Sequence, residues 1–377
     1  MLGQSGRELI DFELVSRTLV ESYLEVRQGD RVVLYGNEYY SDLFDVIGQA
    51  CRERGAYPIE RRFTDAELTD AVLSCNAEEA ARMGVPSIEG PDVVHCFGGT
   101  VLSADRALIG MGLLRDTNAF RQSGVQRRAS QRVDEFLYCV VIKNTMMQLQ
   151  HPSMPLVFLD IPSQENVESG GHDPLVVYPI YERAITAPLP EIRRIEERVG
   201  QALDITCDVQ VTCPRGTQIS FSTEGRTATR EAARRNVYQV PCGEAFVCPV
   251  ENTVNGQVYI AGSVNGLQCD MIMEFENGRA LRLQSVDENH LLAKAYASAY
   301  GVPGESLGEF GVGANPEARS LGTGFMAEKA LGTVHFGIGD NSALGGDHSS
   351  TRHVDFVVIE PTLLLDGKPL LERGELV

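Results

Sequence analysis

The chain has 377 residues, of which 43% are hydrophobic and 23% are charged, a composition typical of soluble globular proteins. With 33 basic and 52 acidic residues its formal net charge is −19, which argues against binding to nucleic acids or anionic membranes, because both need a basic surface. No stretch approaches the roughly 18 apolar residues of a membrane span, and the first residues do not resemble a signal peptide, so we expect a cytoplasmic protein.

The N-terminal half has the pattern of an α/β fold. An amphipathic helix over residues 8–27 is followed by a buried strand over 31–35, and a helix over 41–54 ends at Gly55. A second strand over 56–62 completes a βαβ unit, which predicts a parallel sheet. Three further segments are expected to be strands of this sheet, the first of them a third parallel strand that ends in a glycine-rich loop: residues 92–96, 136–142 and 156–159.

This α/β half lacks the usual nucleotide-binding motifs. The turn after its first strand reads Gly36-Asn37-Glu38, so no G-x-G-x-x-G brings the backbone close to a pyrophosphate. A G-x-x-x-x-G-K-[ST] phosphate loop is also missing from the sequence. A dinucleotide or P-loop function is therefore not expected.

The pattern changes after two closely spaced prolines, Pro188 and Pro190, which precede a charged helix over residues 191–203. We place a domain boundary there, with an N-terminal α/β domain over 1–187 and a mixed α+β domain over 188–377. Short β-branched or alternating runs predict strands in the second domain, and a helix is expected over 289–300. The strand segments are 207–212, 218–223, 257–262 and 270–276.

A histidine and an aspartate near the C-terminus are spaced as metal ligands on a strand. Residues 353–360 read as a β-strand, in which side chains two apart point to the same face. His353 and Asp355 can then hold one ion while Val354 faces the core. Imidazole and carboxylate together suit zinc, manganese, iron or cobalt better than calcium. The alternative for this motif alone is a histidine with an ordinary partner beside a surface carboxylate.

Two more candidate ligands lie in runs of small and apolar residues. Glu309 stands within the segment GEFGVGANP, and His335 within EKALGTVHFGIG. A buried carboxylate or imidazole without a partner is costly, and a shared cation would satisfy both groups. A third segment, GEAF, contributes Glu244. Together with the histidine and aspartate of the strand, these residues predict a metal site in the C-terminal domain.

The order of these segments resembles the aminopeptidase T, or M29, family of metallopeptidases. The resemblance covers nearly the whole chain and is carried by GEAF…PVENTVNG, GEFGVGANPEAR, EKALGTVHFGIG and a GG pair separated from HVD by six residues. It implies a pair of divalent cations, zinc, manganese or cobalt, and hydrolysis of an N-terminal peptide or small amide bond by a metal-activated water. It also implies a homodimer. The implied ligands are Glu244, Glu309, His335, His353 and Asp355.

The resemblance also suggests catalytic roles, with one departure. We assign Glu309 as the carboxylate that bridges the two cations. The family tyrosine seven residues beyond the first histidine, which helps to stabilise the tetrahedral intermediate, is replaced here by Ser342. His348 is the candidate for the missing proton donor or oxyanion partner; an exposed loop histidine is the alternative.

A different chemistry occurs in the same superfamily. The related 2,5-dihydroxypyridine dioxygenases bind a single Fe(II) through two histidines and an aspartate, and their H-x-D pair corresponds to His353 and Asp355. Their other histidine corresponds to Glu309, and their residue at the position of His335 is apolar. The sequence therefore favours the hydrolase, with an Fe(II) dioxygenase as the alternative, for which His335, His353 and Asp355 could form a facial triad. A metal-binding protein without catalytic activity is a third possibility.

Overall fold

A computed structural model of the chain describes residues 9–63, 93–95, 101–103, 105–110, 155–162, 164–169, 171–233, 237–261, 263–264, 267–268, 270–286, 293–294, 297, 302–321, 326–350 and 353–377. The chain divides into two compact units. The first contains Met1–Glu168, Asp173–Thr186 and Arg234–Pro241, and the second contains Ser169–His172, Ala187–Ala233 and Cys242–Val377. The predicted strand over 136–142 lies outside the described residues, as does most of the predicted helix over 289–300.

The helices of the described residues are short to medium in length. They are α1 (Phe12–Thr18), α2 (Ser41–Glu53), α3 (Gln164–Ser169), α4 (Pro174–Thr186), α5 (Leu189–Asp204) and α6 (Met326–Lys329). A π-helical turn, Leu19–Tyr23, continues α1, and 3-10 turns are formed by Glu38–Tyr40, Glu251–Thr253 and Ser342–Leu344. Within this described part of the chain, no helix is long and apolar enough to cross a membrane.

The strands follow in chain order. The earlier ones are β1 (Arg31–Asn37), β2 (Tyr57–Phe63), β3 (Val93–His95), β4 (Val101–Ser103), β5 (Arg106–Gly110), β6 (Leu156–Leu159), β7 (Asp208–Thr212), β8 (Gln218–Ser222), β9 (Thr229–Arg230), β10 (Val237–Val240) and β11 (Glu244–Val247). The later ones are β12 (Asn255–Ile260), β13 (Ser263–Val264), β14 (Leu267–Gln268), β15 (Met271–Glu276), β16 (Arg279–Ser285), β17 (Leu307–Gly313), β18 (Val334–Gly339), β19 (His353–Val358), β20 (Thr362–Leu365), β21 (Lys368–Glu372) and β22 (Glu375–Leu376).

The first unit contains a parallel sheet in the order β10-β6-β5-β1-β2. The predicted βαβ unit is formed by β1, α2 and β2, and Gly55, with a φ of +76°, follows the C-cap of α2 as expected. The strand β10 lies well beyond residue 187 in the sequence, so the chain returns to this sheet after α5. The predicted parallel α/β sheet is confirmed.

The segment 92–96 is a correction to the prediction. It was expected to be a third parallel strand, but β3 instead pairs antiparallel with β4, with His95 opposite Val101. Antiparallel strands can be joined by a few residues, whereas parallel neighbours need a long crossover. The five residues between β3 and β4 are too few for such a crossover. The position beside β1 is taken by β5, which the sequence analysis did not assign as a strand.

The second unit is built on two antiparallel sheets, as a mixed α+β domain requires. The larger has the order β16-β15-β12-β8-β7-β20-β21-β22, and the smaller has the order β19-β18-β17-β11-β9. The four predicted strand segments in the first half of this unit correspond to β7, β8, β12 and β15, and the turn between β15 and β16 is formed by Asn277 and Gly278, both with positive φ. An α/β class with a parallel N-terminal sheet and a mixed C-terminal unit is therefore confirmed.

The smaller sheet has two chemically different faces, because side chains alternate along each strand. One face contributes apolar side chains to the core of the second unit, among them Phe310 of β17, Phe336 of β18 and Phe356 of β19. The rings of Phe310 and Phe336 lie 5.5 Å apart, centroid to centroid. Burial of this face anchors the three strands and sets which side chains point the other way. The opposite face carries glycines and charged residues.

Candidate metal centre

All five predicted ligands lie on this second face, and the strand register brings them together. Glu309 of β17 is opposite Gly337 of β18, which is in turn opposite Asp355 of β19. His335 is opposite Gly311 on the same face. Residues in register across neighbouring strands point to the same side of a sheet. The two remaining predicted ligands begin their strands on this face, Glu244 at the start of β11 and His353 at the start of β19.

The five side chains form two overlapping groups of possible ligands. Glu244, Glu309 and His335 make one group, and Glu309, His353 and Asp355 make the other, with the ligand atoms of each group within 4.8 Å of one another. His335 Nε2 lies 3.3 Å from Glu244 Oε2 and 3.2 Å from Glu309 Oε1. His353 Nε2 lies 3.5 Å from Glu309 Oε2 and 3.4 Å from Asp355 Oδ1. Glu309 is common to both groups.

Several polar atoms of these groups are buried without a hydrogen-bond partner in the structure. They are Glu244 Oε2, Glu309 Oε2, Asp355 Oδ1 and His335 Nδ1. A buried carboxylate oxygen without a partner is costly, and the three oxygens all belong to side chains of the two groups. Imidazole nitrogens and carboxylate oxygens are suitable donors for zinc, manganese, cobalt or iron. The residues present therefore fit a divalent cation.

Two glycines leave space for the side chains of the two groups. A Cβ atom placed on Gly337 would lie 2.8 Å from Asp355 Oδ1, from His353 Nε2 and from Glu309 Cβ. A Cβ atom on Gly311 would lie 2.1 Å from both Cε1 and Nε2 of the His335 ring. Both distances are shorter than van der Waals contact allows. The glycines that share a face with glutamate or histidine in β17 and β18 therefore provide the space into which the candidate ligands project.

We expect Gly311→Ala to displace the His335 ring and to disrupt the group that contains it. Over-packing of this kind costs about 1–3 kcal/mol of stability. The variant should unfold at lower denaturant concentration than the wild type and should bind fewer cations per chain. The control is the same change made in the His335→Ala variant: without the ring, Gly311→Ala should cost no further stability, although metal binding stays impaired. An unchanged unfolding midpoint in the single variant would contradict this account of the glycine.

A buried cluster of charges that the sequence analysis left unassigned adjoins Glu244. The ammonium of Lys329 is fully buried and lies 2.6 Å from Glu244 Oε1, 3.0 Å from Glu328 Oε1 and 3.7 Å from Glu231 Oε2. Burial lowers the pKa of Lys329, but the surrounding carboxylates outweigh it and hold this pKa well above the usual value. In the sequence, the pair Glu328-Lys329 stands shortly before the buried apolar strand β18. This position was the sequence signal that could have indicated that the pair is buried.

Glu196, on α5, holds the backbone that carries Glu244. Its carboxylate accepts hydrogen bonds from the backbone N–H of Ala232 at 2.8 Å and from that of Glu244 at 3.0 Å. Burial and the nearby charge of Glu231 raise its pKa to about 8. Glu196 is four residues after Ile192 and three before Val199, which are both buried. Its place on the apolar stripe of an amphipathic helix was the sequence signal for its burial.

The orientation of His353 is set by the loop that follows β18. His353 Nδ1 donates a hydrogen bond to the backbone carbonyl of Asp340 at 3.1 Å, so that Nε2 is turned toward the carboxylates of its group. A ligating histidine is commonly fixed through its second nitrogen in this way. The carboxylate of Asp340 accepts from the hydroxyl of Ser342 and from the backbone N–H of Ser350. Ser342, where the resemblance would place a tyrosine, thus contributes to this loop.

His348, predicted to be catalytic, belongs to neither ligand group. Its Nε2 lies 2.9 Å from Glu305 Oε2, and the other carboxylate oxygen of Glu305 accepts from the hydroxyl of Ser350 at 2.9 Å. The backbone N–H of His348 donates to the side chain of Asn341. The side chain lies in the loop between β18 and β19 and is 18% exposed. Its catalytic role stays a prediction.

The neighbouring carboxylates raise the pKa values of the two histidines by more than burial lowers them. Burial lowers the pKa of His335, but the hydrogen bond with Glu309 and the neighbouring carboxylates raise it to about 9. Burial likewise opposes protonation of His353, and the carboxylates of Asp355 and Glu309 raise its pKa to about 10. Burial would raise the pKa of Asp355, but the adjacent His353 holds it below the usual range. Without a metal, protons on the imidazoles supply the positive charge that the carboxylates require.

We expect the metal-free protein to lose stability as the pH rises from about 7 to about 10. The histidine pKa is near 6.5 in the unfolded chain and about 9 and 10 in the folded one, so the stabilisation is complete below pH 6.5 and is lost as the pH passes through the folded values. Denaturant unfolding with a chelator across this range measures the loss. His353→Asn is the control and should flatten the dependence. A midpoint that rises across the range in the wild type would contradict the assignment.

Comparisons with known proteins agree with this architecture. A model of the family described as NicX, 2,5-dihydroxypyridine 5,6-dioxygenase, matches residues 153–377, which include all five candidate ligands. By itself this match supports the dioxygenase alternative better than the aminopeptidase prediction. The comparison with curated proteins gives no match.

Two solved structures share the fold over almost the whole chain. One is 2,5-dihydroxypyridine dioxygenase from Pseudomonas putida KT2440, with 15% identity, a TM-score of 0.61 and coverage of 97% of this chain and 96% of that one. The other is wild-type AmpT from Thermus thermophilus, with 16% identity, a TM-score of 0.62 and coverage of 97% and 98%. The predicted relationship to both aminopeptidase T and the dioxygenases is confirmed at the level of the family. Since the family model matches more than half of the chain, this protein belongs to the 2,5-dihydroxypyridine 5,6-dioxygenase (NicX) family.

Proposed function

We propose that this family member is a metal-dependent hydrolase that uses two divalent cations to cleave an N-terminal peptide bond or a small amide. The observation that carries the proposal is the position of Glu309, whose two oxygens face different histidines. Oε1 lies beside His335, and Oε2 lies beside His353. A carboxylate shared in this way is typical of centres that hold two cations close together.

The formal charges of the cluster support two cations better than one. Among the described residues, five carboxylates belong to the two ligand groups or contact the ammonium of Lys329: Glu231, Glu244, Glu309, Glu328 and Asp355. Two divalent cations together with Lys329 would balance these five negative charges while both imidazoles are neutral. With both imidazoles neutral, a single divalent cation and Lys329 would leave two of these negative charges to be compensated by protons in a buried site.

Each residue of the centre would have a defined task. Glu244 and His335 would hold one cation, His353 and Asp355 the other, and Glu309 both. When bound, the cations would lower the pKa of a water molecule and polarise the carbonyl of the scissile bond. The Asp340 carbonyl keeps the proton of His353 on Nδ1, so that Nε2 remains available as a ligand. His348, held by Glu305, is the candidate proton donor in place of the family tyrosine.

An Fe(II) dioxygenase is the second candidate, and the family match is the observation that favours it. The group of Glu309, His353 and Asp355 would hold the single iron. The alternative triad of His335, His353 and Asp355 has less support, because His335 falls in a different group from the other two among the described residues. The chain would then use one histidine and two carboxylates, where the facial triad has two histidines and one carboxylate.

The metal content of untagged protein purified without oxygen separates the two functions. Close to two zinc, manganese or cobalt ions per chain by elemental mass spectrometry would support the hydrolase and call for assays with aminoacyl amides. About one iron, lost in air, would support the dioxygenase and call for oxygen-uptake assays with dihydroxypyridines. Protein that holds no metal and takes up none on titration would contradict both functions. The predicted homodimer is measured on the same sample by light scattering.

A further inference from the structure

The buried ammonium of Lys329 engages only one of the two oxygens of Glu244. Lys329 Nζ lies 2.6 Å from Glu244 Oε1, whereas Glu244 Oε2 has no hydrogen-bond partner and lies 3.3 Å from His335 Nε2. One oxygen is thus held by the lysine while the other faces the ligand group. The carboxylate that the lysine contacts is itself buried.

The lysine is in turn held from several sides. Besides Glu244, its ammonium contacts Glu328 at 3.0 Å, the residue before it on α6, and Glu231 at 3.7 Å, just beyond β9. The carboxylate of Glu231 also accepts from the backbone N–H of Gly243, immediately before Glu244. Side chain and backbone of the ligand are therefore fixed by one connected set of charges. The ammonium thus lies within hydrogen-bond distance of Glu244 and Glu328 and forms a longer ion pair with Glu231.

We propose that Lys329 is a positioning residue, which restricts Glu244 to binding a cation through Oε2 alone and so sets the affinity of the Glu244, Glu309 and His335 group. The inference rests on the proposed function, because it concerns a cation in that group. Without the ammonium, Oε1 is released and Glu244 can turn or bind through both oxygens. A ligand side chain that is already held in one orientation loses less conformational freedom when the cation binds.

Removing the lysine alone changes the charge of the site as well as its geometry, so the test uses a charge-matched variant. Lys329→Met with Glu328→Gln removes one positive and one negative charge, which leaves the net charge around Glu244 unchanged. It also limits the number of buried carboxylates without a cation, so that folding is retained. The single variant Glu328→Gln shows what the lost carboxylate contributes by itself. Glu244→Gln identifies which cobalt ion belongs to this group.

The measurement is titration with Co(II), followed by visible absorption and by bound cobalt per chain after dialysis. The double variant should lose at least tenfold in affinity for the same cobalt that Glu244→Gln removes and should show an altered cobalt spectrum, while Glu328→Gln retains both ions. Lys329→Arg, which keeps the charge and the donors, should recover part of the affinity. Folding is checked by near-UV circular dichroism on every variant.

Three results would overturn the inference. If the double variant bound both cobalt ions with the affinity and spectrum of the wild type, Lys329 would have no positioning role. If Glu328→Gln alone produced the full loss, the role would belong to Glu328. If the wild type itself took up only one cobalt or none, the proposed two-cation function would fail first and the inference with it, a result distinguished by the wild-type titration alone.

Discussion

Replacing Glu309 with glutamine is expected to remove both cations from the centre in one step. Glu309 is the side chain common to the two groups, and its two oxygens lie 3.2 Å and 3.5 Å from His335 Nε2 and His353 Nε2. The amide keeps the size of the side chain but offers one neutral oxygen and an NH₂ donor, which cannot ligate. The loss should exceed about 100-fold in metal affinity, the upper range for residues that only support a ligand. Activity should fall to background.

The matched control is Glu276→Gln, which makes the same change at an exposed position of β15 in the same unit. It should leave the metal content unchanged. The measurement is bound metal per chain after dialysis against a weak chelator, with turnover of an aminoacyl amide as a second readout. Retention of one full equivalent by Glu309→Gln would show that the two groups bind independently and that this carboxylate is not shared.

Replacing His335 with phenylalanine is expected to separate the two candidate functions. The imidazole belongs only to the group with Glu244, so a two-cation hydrolase should lose one ion and at least about 100-fold of its turnover. A dioxygenase that holds iron through Glu309, His353 and Asp355 should keep its iron and most of its activity. The phenyl ring can occupy the space above Gly311 that the imidazole fills, because this position has no side chain.

The variant also has a cost in stability that must be measured. Glu244 and Glu309 lose the imidazole as a partner, and a buried polar group left in this way costs about 1–3 kcal/mol. Metal titration of the folded fraction, confirmed by circular dichroism, keeps the two effects apart. His335→Asn removes the imidazole without introducing a phenyl ring. It should give the same metal stoichiometry as His335→Phe. Full hydrolase activity in both variants would contradict the proposed two-cation chemistry.

Much of the candidate centre was open to prediction, because alternation along a strand is a local property. The pattern of β17, with glutamate and glycine alternating with phenylalanine and valine, predicts which residues share a face whatever the partner strands are. The spacing of His353 and Asp355 carries the same information. All five residues predicted as ligands are found on one face of one sheet.

The sequence predicted only part of the fold of the first unit. In the first unit the βαβ pattern predicted β1, α2 and β2, but the sequence could not show that β10 returns to the sheet or that β3 pairs with β4. Strand partners are chosen by contacts across long sequence separations, and such contacts leave little trace in the local pattern. The hydrophobic periodicity is the same for a strand beside any partner.

The sequence by itself determined the chemical types of the candidate ligands, the faces of their strands and the glycines that make room for them. Only the tertiary structure decided that Glu309 faces both histidines, because this depends on the register of β17 against β18 and of β18 against β19. It also decided that Lys329 and Glu196 are buried beside Glu244. A charged side chain is buried only where partners from distant parts of the chain compensate it, and no local pattern specifies those partners.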